Sequence, residues 1–339
     1  MPFEIHLTDW QILIFKIIVI LTVVPVGALV GGYAEHKVMA HLQHRLGPMY
    51  PGGFHGWATT LADGLKFLYK EDIIPAKADK KVFSLAPAAI MVPVIMVYLA
   101  IPIDQNLIVE DLDIGLFYLL AISSVSTIGL LMAGWSSANK YALIGALRSA
   151  AQLIAYELPI VLAAASVAML AGTLSIVGIV EAQDWPFAFW PPGIGLVAFL
   201  IFSIGAVAEM TRVPFDMPVA ESEIITGPFT EYSGMRYIFS HMFAEMGHMV
   251  AFGGIAATLF LGGYKPIVPW EPLEVVPGIV WFLVKFMFMV FVFLWIRPTF
   301  PRVREDQLQK FAWKFLIPAG LALILATGAW ILYAPEWAR

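Results

Sequence analysis

No cysteine occurs among the 339 residues, which excludes a structural disulfide, a Cys-type zinc site and a thiolate-held iron–sulfur cluster. Charge is scarce as well. Asp, Glu, Lys and Arg make up 13% of the chain, where a soluble domain carries roughly 25%. No glycine-rich phosphate loop follows a strand pattern, because no strand pattern exists, and no nucleophile–base pair stands out. Nucleotide, flavin and nucleic acid are therefore not expected as ligands, and the chain itself carries no electrons through a metal cluster. What it has instead is apolar surface: 60% of residues are hydrophobic and the mean hydropathy is +0.81. That surplus requires lipid. The beginning of the chain is acidic (Glu4, Asp9) and no short apolar region with a cleavage site follows, so the first apolar run is expected to persist.

A helix that crosses a bilayer needs roughly 20 apolar residues. Eight stretches qualify, near residues 11–33, 83–103, 115–135, 150–172, 193–211, 238–262, 277–296 and 312–333. A helix satisfies its own backbone in hydrocarbon, so the expected fold is all-α, a polytopic membrane protein forming one domain over 1–339. Pro25, Pro93, Pro159 and Pro318 fall inside these runs, where neighbouring helices can re-satisfy the freed carbonyls.

Basic residues set the orientation. Lys37, Arg45, Lys66, Lys70, Lys140, Arg148, Arg212, Arg236, Arg297, Arg302 and Lys310 all fall in the first, third, fifth and seventh connections. The opposite side has Lys265, Arg339 and the acidic run Glu110, Asp111, Asp113. Both termini are thus expected on the non-cytoplasmic side. Within the long first connection, Leu61, Leu65 and Leu68 share one helical face while Asp63, Lys66 and Lys70 share another. This pattern predicts an amphipathic helix lying in the interface, in preference to a solvated loop helix.

Carboxylates inside spans are expensive and mark ion or proton pathways by default. Glu157 falls in the fourth span and Glu245 in the sixth, while Glu209 closes the fifth. The next connection carries Asp216, Glu221 and Glu223. Burial disfavours the charged form of a carboxylic acid and keeps it poised to exchange a proton. Any one of these also reads as half of a structural ion pair, but the set contains a chain of acids. His241, Glu245 and His248 share one face at i, i+4 and i+7. Proton relay or hydrogen bonding is favoured there over a metal, for which no supporting outer ligands stand out.

The motifs Ala34-Glu35-His36-Lys37, His44-Arg45-Leu46-Gly47-Pro48, Leu61-Ala62-Asp63-Gly64-Leu65-Lys66 and Lys70-Glu71-Asp72 resemble the first cytoplasmic loop of the H subunit of NADH–quinone oxidoreductase, respiratory complex I. Asn139-Lys140-Tyr141-Ala142-Leu143-Ile144-Gly145-Ala146-Leu147-Arg148 and Tyr156-Glu157 resemble its third loop and fourth helix. Pro214-Phe215-Asp216, Glu221-Ser222-Glu223 and Glu231-Tyr232-Ser233-Gly234 resemble its acidic loop, and Trp295-Ile296-Arg297 and Pro301-Arg302 its last cytoplasmic loop. The resemblance covers nearly the whole chain in order.

It implies that Glu35, His36, Arg45, Asp63 and Arg297 line the entrance of a quinone chamber. Glu157, Glu209, Asp216, Glu221, Glu223 and Glu245 would form the acidic funnel leading from that chamber, with Arg148 and Arg212 balancing the acids. Quinone would be the substrate, and no complete active site would lie in this chain. Peripheral-arm quinone-site subunits and antiporter-like membrane subunits would be its partners, with FMN and iron–sulfur clusters held in partner subunits. The bacterial plasma membrane is the expected location, ahead of the mitochondrial inner membrane. The matching subunit of a membrane-bound hydrogenase is an alternative. A stand-alone transporter is a further one, disfavoured because no repeat of two halves is found.

Three departures accompany the resemblance. His36 stands where the family usually has arginine, and Val219 where a Glu or Gln is usual. The interval from Glu231 to Glu245 is one residue longer. An inserted residue in an unbroken helix turns everything beyond it by about 100°. The spacing therefore predicts an irregularity between Tyr237 and Ala244, such as a single π-helical turn, with Glu245 still facing Glu157 and Glu209.

Overall fold

A long apolar run has few ways to satisfy its backbone away from water, and this chain uses the helix throughout. The computed structural model describes residues 9–105, 107–268, 273 and 275–333, and no strand occurs among them. Helix α1 spans Asp9–Leu42, α2 Thr59–Tyr69, α3 Lys80–Val97, α4 Gly115–Ser136 and α5 Lys140–Ala171. They are followed by α6 Ile176–Glu181, α7 Ile194–Glu209, α8 Gly234–Phe260, α9 Gly278–Thr299 and α10 Glu305–Tyr333.

Among the described residues, seven helices are long and apolar enough to cross a bilayer: α1, α3, α4, α5, α8, α9 and α10. The remaining expected span is α7, with 16 residues. At about 1.5 Å per residue it covers roughly 24 Å, less than a hydrocarbon core of roughly 30 Å. It stops at Glu209, where Thr211 turns the chain with φ 53°.

Two helices outrun their apolar stretches furthest. Helix α1 has 34 residues and α5 has 32, because hydropathy marks where lipid lies and not where hydrogen bonding stops. Asn139 caps α5 by accepting the Tyr141 N–H at 2.8 Å, and Gly172 ends it in the left-handed region. Helix α2 occupies the position expected of the interfacial helix. It buries none of its residues, and Leu61, Leu65 and Leu68 are exposed together, the face such a helix offers to lipid.

Packing runs α3 on α4, α4 on α5, and α5 on both α7 and α10, while α8 lies against α1 and α9. Small residues permit the closest approaches, as expected between helices in lipid. A Cβ at Gly129 of α4 would lie 2.6 Å from the Ile90 side chain of α3. Phe199, Phe202, Phe252 and Phe260 form a contacting aromatic group in the larger buried cluster. Phe83 and Tyr232 stack at 4.1 Å in the smaller one.

Helix α8 contains a π-helical turn at Ile238–Phe243, inside the interval where the residue count predicts an insertion. The Ser240 hydroxyl donates to the Arg236 carbonyl at 2.7 Å, satisfying a group that the wider turn leaves open. A second π-helical turn, Ala312–Leu316, interrupts α10 just before Pro318. Proline supplies no N–H to the preceding turn, so the helix is already short of a bond there.

Candidate functional site

The site is assembled at the break between α7 and α8. Gln152 of α5 is fully buried, and its amide nitrogen donates to the Ala208 carbonyl at 2.7 Å and the Phe215 carbonyl at 2.6 Å. One side chain thus clamps both flanks of the turn that carries Glu209, Arg212 and Asp216. The turn directs Arg212 inward, where only 3% of it remains exposed.

Arg212 joins two carboxylates that are remote in sequence. Its Nη2 donates to Glu35 Oε2 at 2.9 Å, and its Nε lies 2.9 Å from Glu245 Oε1. Arg297, near the end of α9, pairs with the other Glu35 oxygen and lies 3.9 Å from Glu245 Oε1. Two guanidiniums and two carboxylates therefore form one neutral tetrad linking α1, the turn, α8 and α9. The sulfurs of Met249 and Met246 accept from Arg212 at 3.2 and 3.3 Å. An ion pair this deep forfeits hydration, and it holds only because each charge faces its opposite.

Beside the tetrad is a cavity of 650 Å³ lined by Thr211, Arg212, Val213, Asp216, Val219, His241, Glu245, Arg297 and Arg302. Asp216 is half-buried in the connection outside the spans. Burial raises its pKa most; Arg302 opposes that rise, the Glu245 charge adds to it, and the N–H groups of Val219 and Ala220 oppose it. The folded-state pKa therefore lies above the unfolded one. Stability from this group is complete below the ordinary aspartate range and is lost as pH rises through the raised value. Asp216→Asn removes that loss. Melting midpoints of the purified variant and wild type should converge below about pH 4 and separate in the variant's favour towards neutrality. A gap independent of pH would show that the Asp216 carboxyl titrates as if solvated.

A second set of charges lies further along the connection. Arg148 of α5 meets Glu223 at 2.7 Å and Glu305 at 3.1 Å, and Arg302 meets Glu223 at 3.3 Å. Glu223 is partly exposed, and hydrogen bonding to Arg148 holds its carboxyl below the usual range, helped by the charges of Arg148 and Arg302. The Glu221 side chain lies outside the described residues.

Glu157 and Glu209 form a third group with a different character. Glu157 lies near Ser124 of α4, whose hydroxyl donates to the Ala121 carbonyl at 2.9 Å, and its charge acts on Glu209. Glu209 is 5% exposed, and its Oε2 has no hydrogen-bond partner among the described residues. Glu245, expected to face this pair, instead joins the Arg212 tetrad and interacts with Asp216.

Three chamber residues expected near Glu35 do not join the tetrad. His36 is exposed, exposed Arg45 donates to Gln43 at 2.9 Å, and Asp63 pairs with Lys66 at 3.0 Å on α2. Two buried polar residues went unnoticed in the sequence. Gln152 gave no signal, since its importance arises from the fold around it. Lys285 did: it is a lone charge in the apolar run of α9, which marks an intramembrane site on its own. It is buried, and its Nζ donates to the Gly263 carbonyl at 3.0 Å and the Lys265 carbonyl at 2.5 Å.

Taken together, the fold and the buried charges define a multi-pass helical membrane protein with an ionisable chain inside its bundle. The sequence profile of the NADH dehydrogenase family matches residues 15–328. The chain is 48% identical to the H subunit of NADH-quinone oxidoreductase from Geobacillus thermodenitrificans over 298 residues, 87% of this chain and 86% of that one. It is 46% identical to the protein of the same name in Geobacillus kaustophilus over 311 residues, 91% and 90% of the two chains. With the Bacillus cytotoxicus counterpart it shares 46% identity over 297 residues, 88% and 87%. The chain belongs to the H-subunit family of NADH-quinone oxidoreductase, as a membrane component of that oxidoreductase complex.

Proposed function

We infer that this subunit borders a quinone chamber and passes the effect of quinone reduction to protons inside the membrane. The observation that carries the reading is the cavity beside Asp216, Glu245 and Arg297, which adjoins the Glu35–Arg212 pair at the end of α7. Quinone entering on the α1–α9 side meets Arg297 and Glu35. A change of charge there acts on Arg212 and Glu245 directly, because paired charges in a poorly solvated site feel each other strongly. From Glu245 and Asp216 the acids continue to Glu209 and Glu157, towards partner subunits in the membrane. The basic connections face the cytoplasm and both termini face away from it, in a bacterial plasma membrane. The chain forms a single membrane domain, and the flavin and iron–sulfur chemistry belongs to partner subunits.

Glu157→Gln and Glu245→Gln test this reading in the assembled complex. Glu157→Gln should co-purify with its partners at the wild-type level, and Glu245→Gln, which leaves Arg212 and Arg297 to share Glu35, at a reduced level, so rates are compared per assembled complex. Each should also lose quinone reduction and proton pumping by roughly a hundredfold, the low end of what a positioned proton-transfer group contributes. Full coupled activity in both variants would remove them from the path.

A further inference from the structure

The cavity beside the tetrad presents one side chain for which the coupling path from Glu35 to Glu157 has no use. Its wall carries the carboxylates of Asp216 and Glu245, the guanidiniums of Arg212, Arg297 and Arg302, and the imidazole of His241. A guanidinium does not release its proton in a protein. An imidazole both accepts and donates near neutral pH.

The π-helical turn carries it. His241 lies within Ile238–Phe243, four residues before Glu245, and residues so spaced lie along one side of a helix. Both line the same cavity. Two rings hold the imidazole: Phe229 at 5.2 Å and Tyr237 at 5.4 Å between centroids. Helix α3 packs against this turn, and Phe83, Ala86, Ile90 and Val94 cluster with Tyr237 and Ala244 there. Among the described residues, the charged side chains lining the cavity are the two acids and three arginines already named. Val219, an apolar residue three positions beyond Asp216, lines the same cavity.

We propose that His241 relays protons between Asp216 and Glu245 across this cavity, supplying the titratable group that the Val219 wall lacks. A proton leaves the Asp216 carboxyl for one imidazole nitrogen, and the other nitrogen gives its proton to the Glu245 carboxylate. The ring is neutral again, in its other tautomer, and one proton has moved with no redox change. This inference rests on the reading that Glu245 lies in the coupling path.

The test uses the whole complex in native membrane vesicles, with partner co-purification as the check on assembly. His241→Leu should assemble and lose coupled pumping by roughly a hundredfold. Val219→Glu placed in the His241→Leu background should restore most of the rate, because it returns a proton acceptor to the same cavity. The restored rate should also follow a more acidic pH profile than wild type, since a carboxylic acid replaces an imidazole. If His241→Leu fails to assemble, His241→Gln, which keeps the polar shape, takes its place in both measurements. A histidine variant with wild-type coupled rates overturns the proposal, and so does a loss that Val219→Glu leaves unrepaired, which marks a structural role. Glu245→Gln runs alongside: if it too keeps full coupling, the pathway reading itself falls, whereas an intact histidine variant beside a defective Glu245→Gln overturns the relay alone.

Discussion

Arg212→Leu is expected to prevent the complex from accumulating. The substitution leaves Glu35 and Glu245 in the bundle with Arg297 alone to balance them, and Arg297 pairs with Glu35 and lies 3.9 Å from Glu245. Removing one partner of a buried ion pair costs about 3–5 kcal/mol, because the other charge stays behind without water. Set against a typical folding stability of about 5–15 kcal/mol, such a loss depletes the folded population severely. Arg212→Lys should be intermediate: it restores the charge but not the planar fork that meets Glu35 through Nη2 and Glu245 through Nε. The decisive comparison is Arg212→Leu/Glu35→Gln, which removes one charge of each sign and should recover yield and thermal midpoint relative to Arg212→Leu. Quantitative membrane extraction followed by co-purification measures all three. Wild-type yield from Arg212→Leu would mean that the tetrad contributes nothing to folding.

The sequence revealed the spans because lipid imposes a length and a composition that a local window detects. It also revealed the π-helical turn, through an argument about count: one extra residue between two fixed motifs must go somewhere, and Ile238–Phe243 is where it went. Partnership was less legible. Arg212 was expected to balance the acids in general, but nothing local indicates that it would select Glu35, which is 177 residues away in the chain. Glu245 was expected beside Glu157 and Glu209 for the same reason: helix periodicity tells which face a residue takes, and not which neighbour that face meets. Lys285 belongs to none of the acidic motifs and carries the opposite charge. Its position in an apolar run was visible from the start, whereas the carbonyls of Gly263 and Lys265 that receive it come together only in the fold.

Glu209 lies three residues from Arg212, and its replacement should have the opposite consequence. It is buried at the end of α7 with no cation against it among the described residues, and its charge interacts with another acid, Glu157. A carboxylate so placed adds nothing to stability, since desolvation is unrepaid and the neighbouring charge has the same sign. Glutamine keeps the shape and sheds the charge. Glu209→Gln should therefore assemble fully and melt at or above the wild-type midpoint. An amide, however, neither accepts nor releases a proton at neutral pH, so coupled quinone reduction should fall by roughly a hundredfold. Stability and activity then separate in one variant, as they do where a fold retains an unfavourable group for its chemistry. Heating the purified complex and following pumping in vesicles measure the two halves independently. A lower midpoint with normal pumping would make Glu209 a structural acid with a partner supplied by a neighbouring subunit, and would cut the path between Glu245 and Glu157.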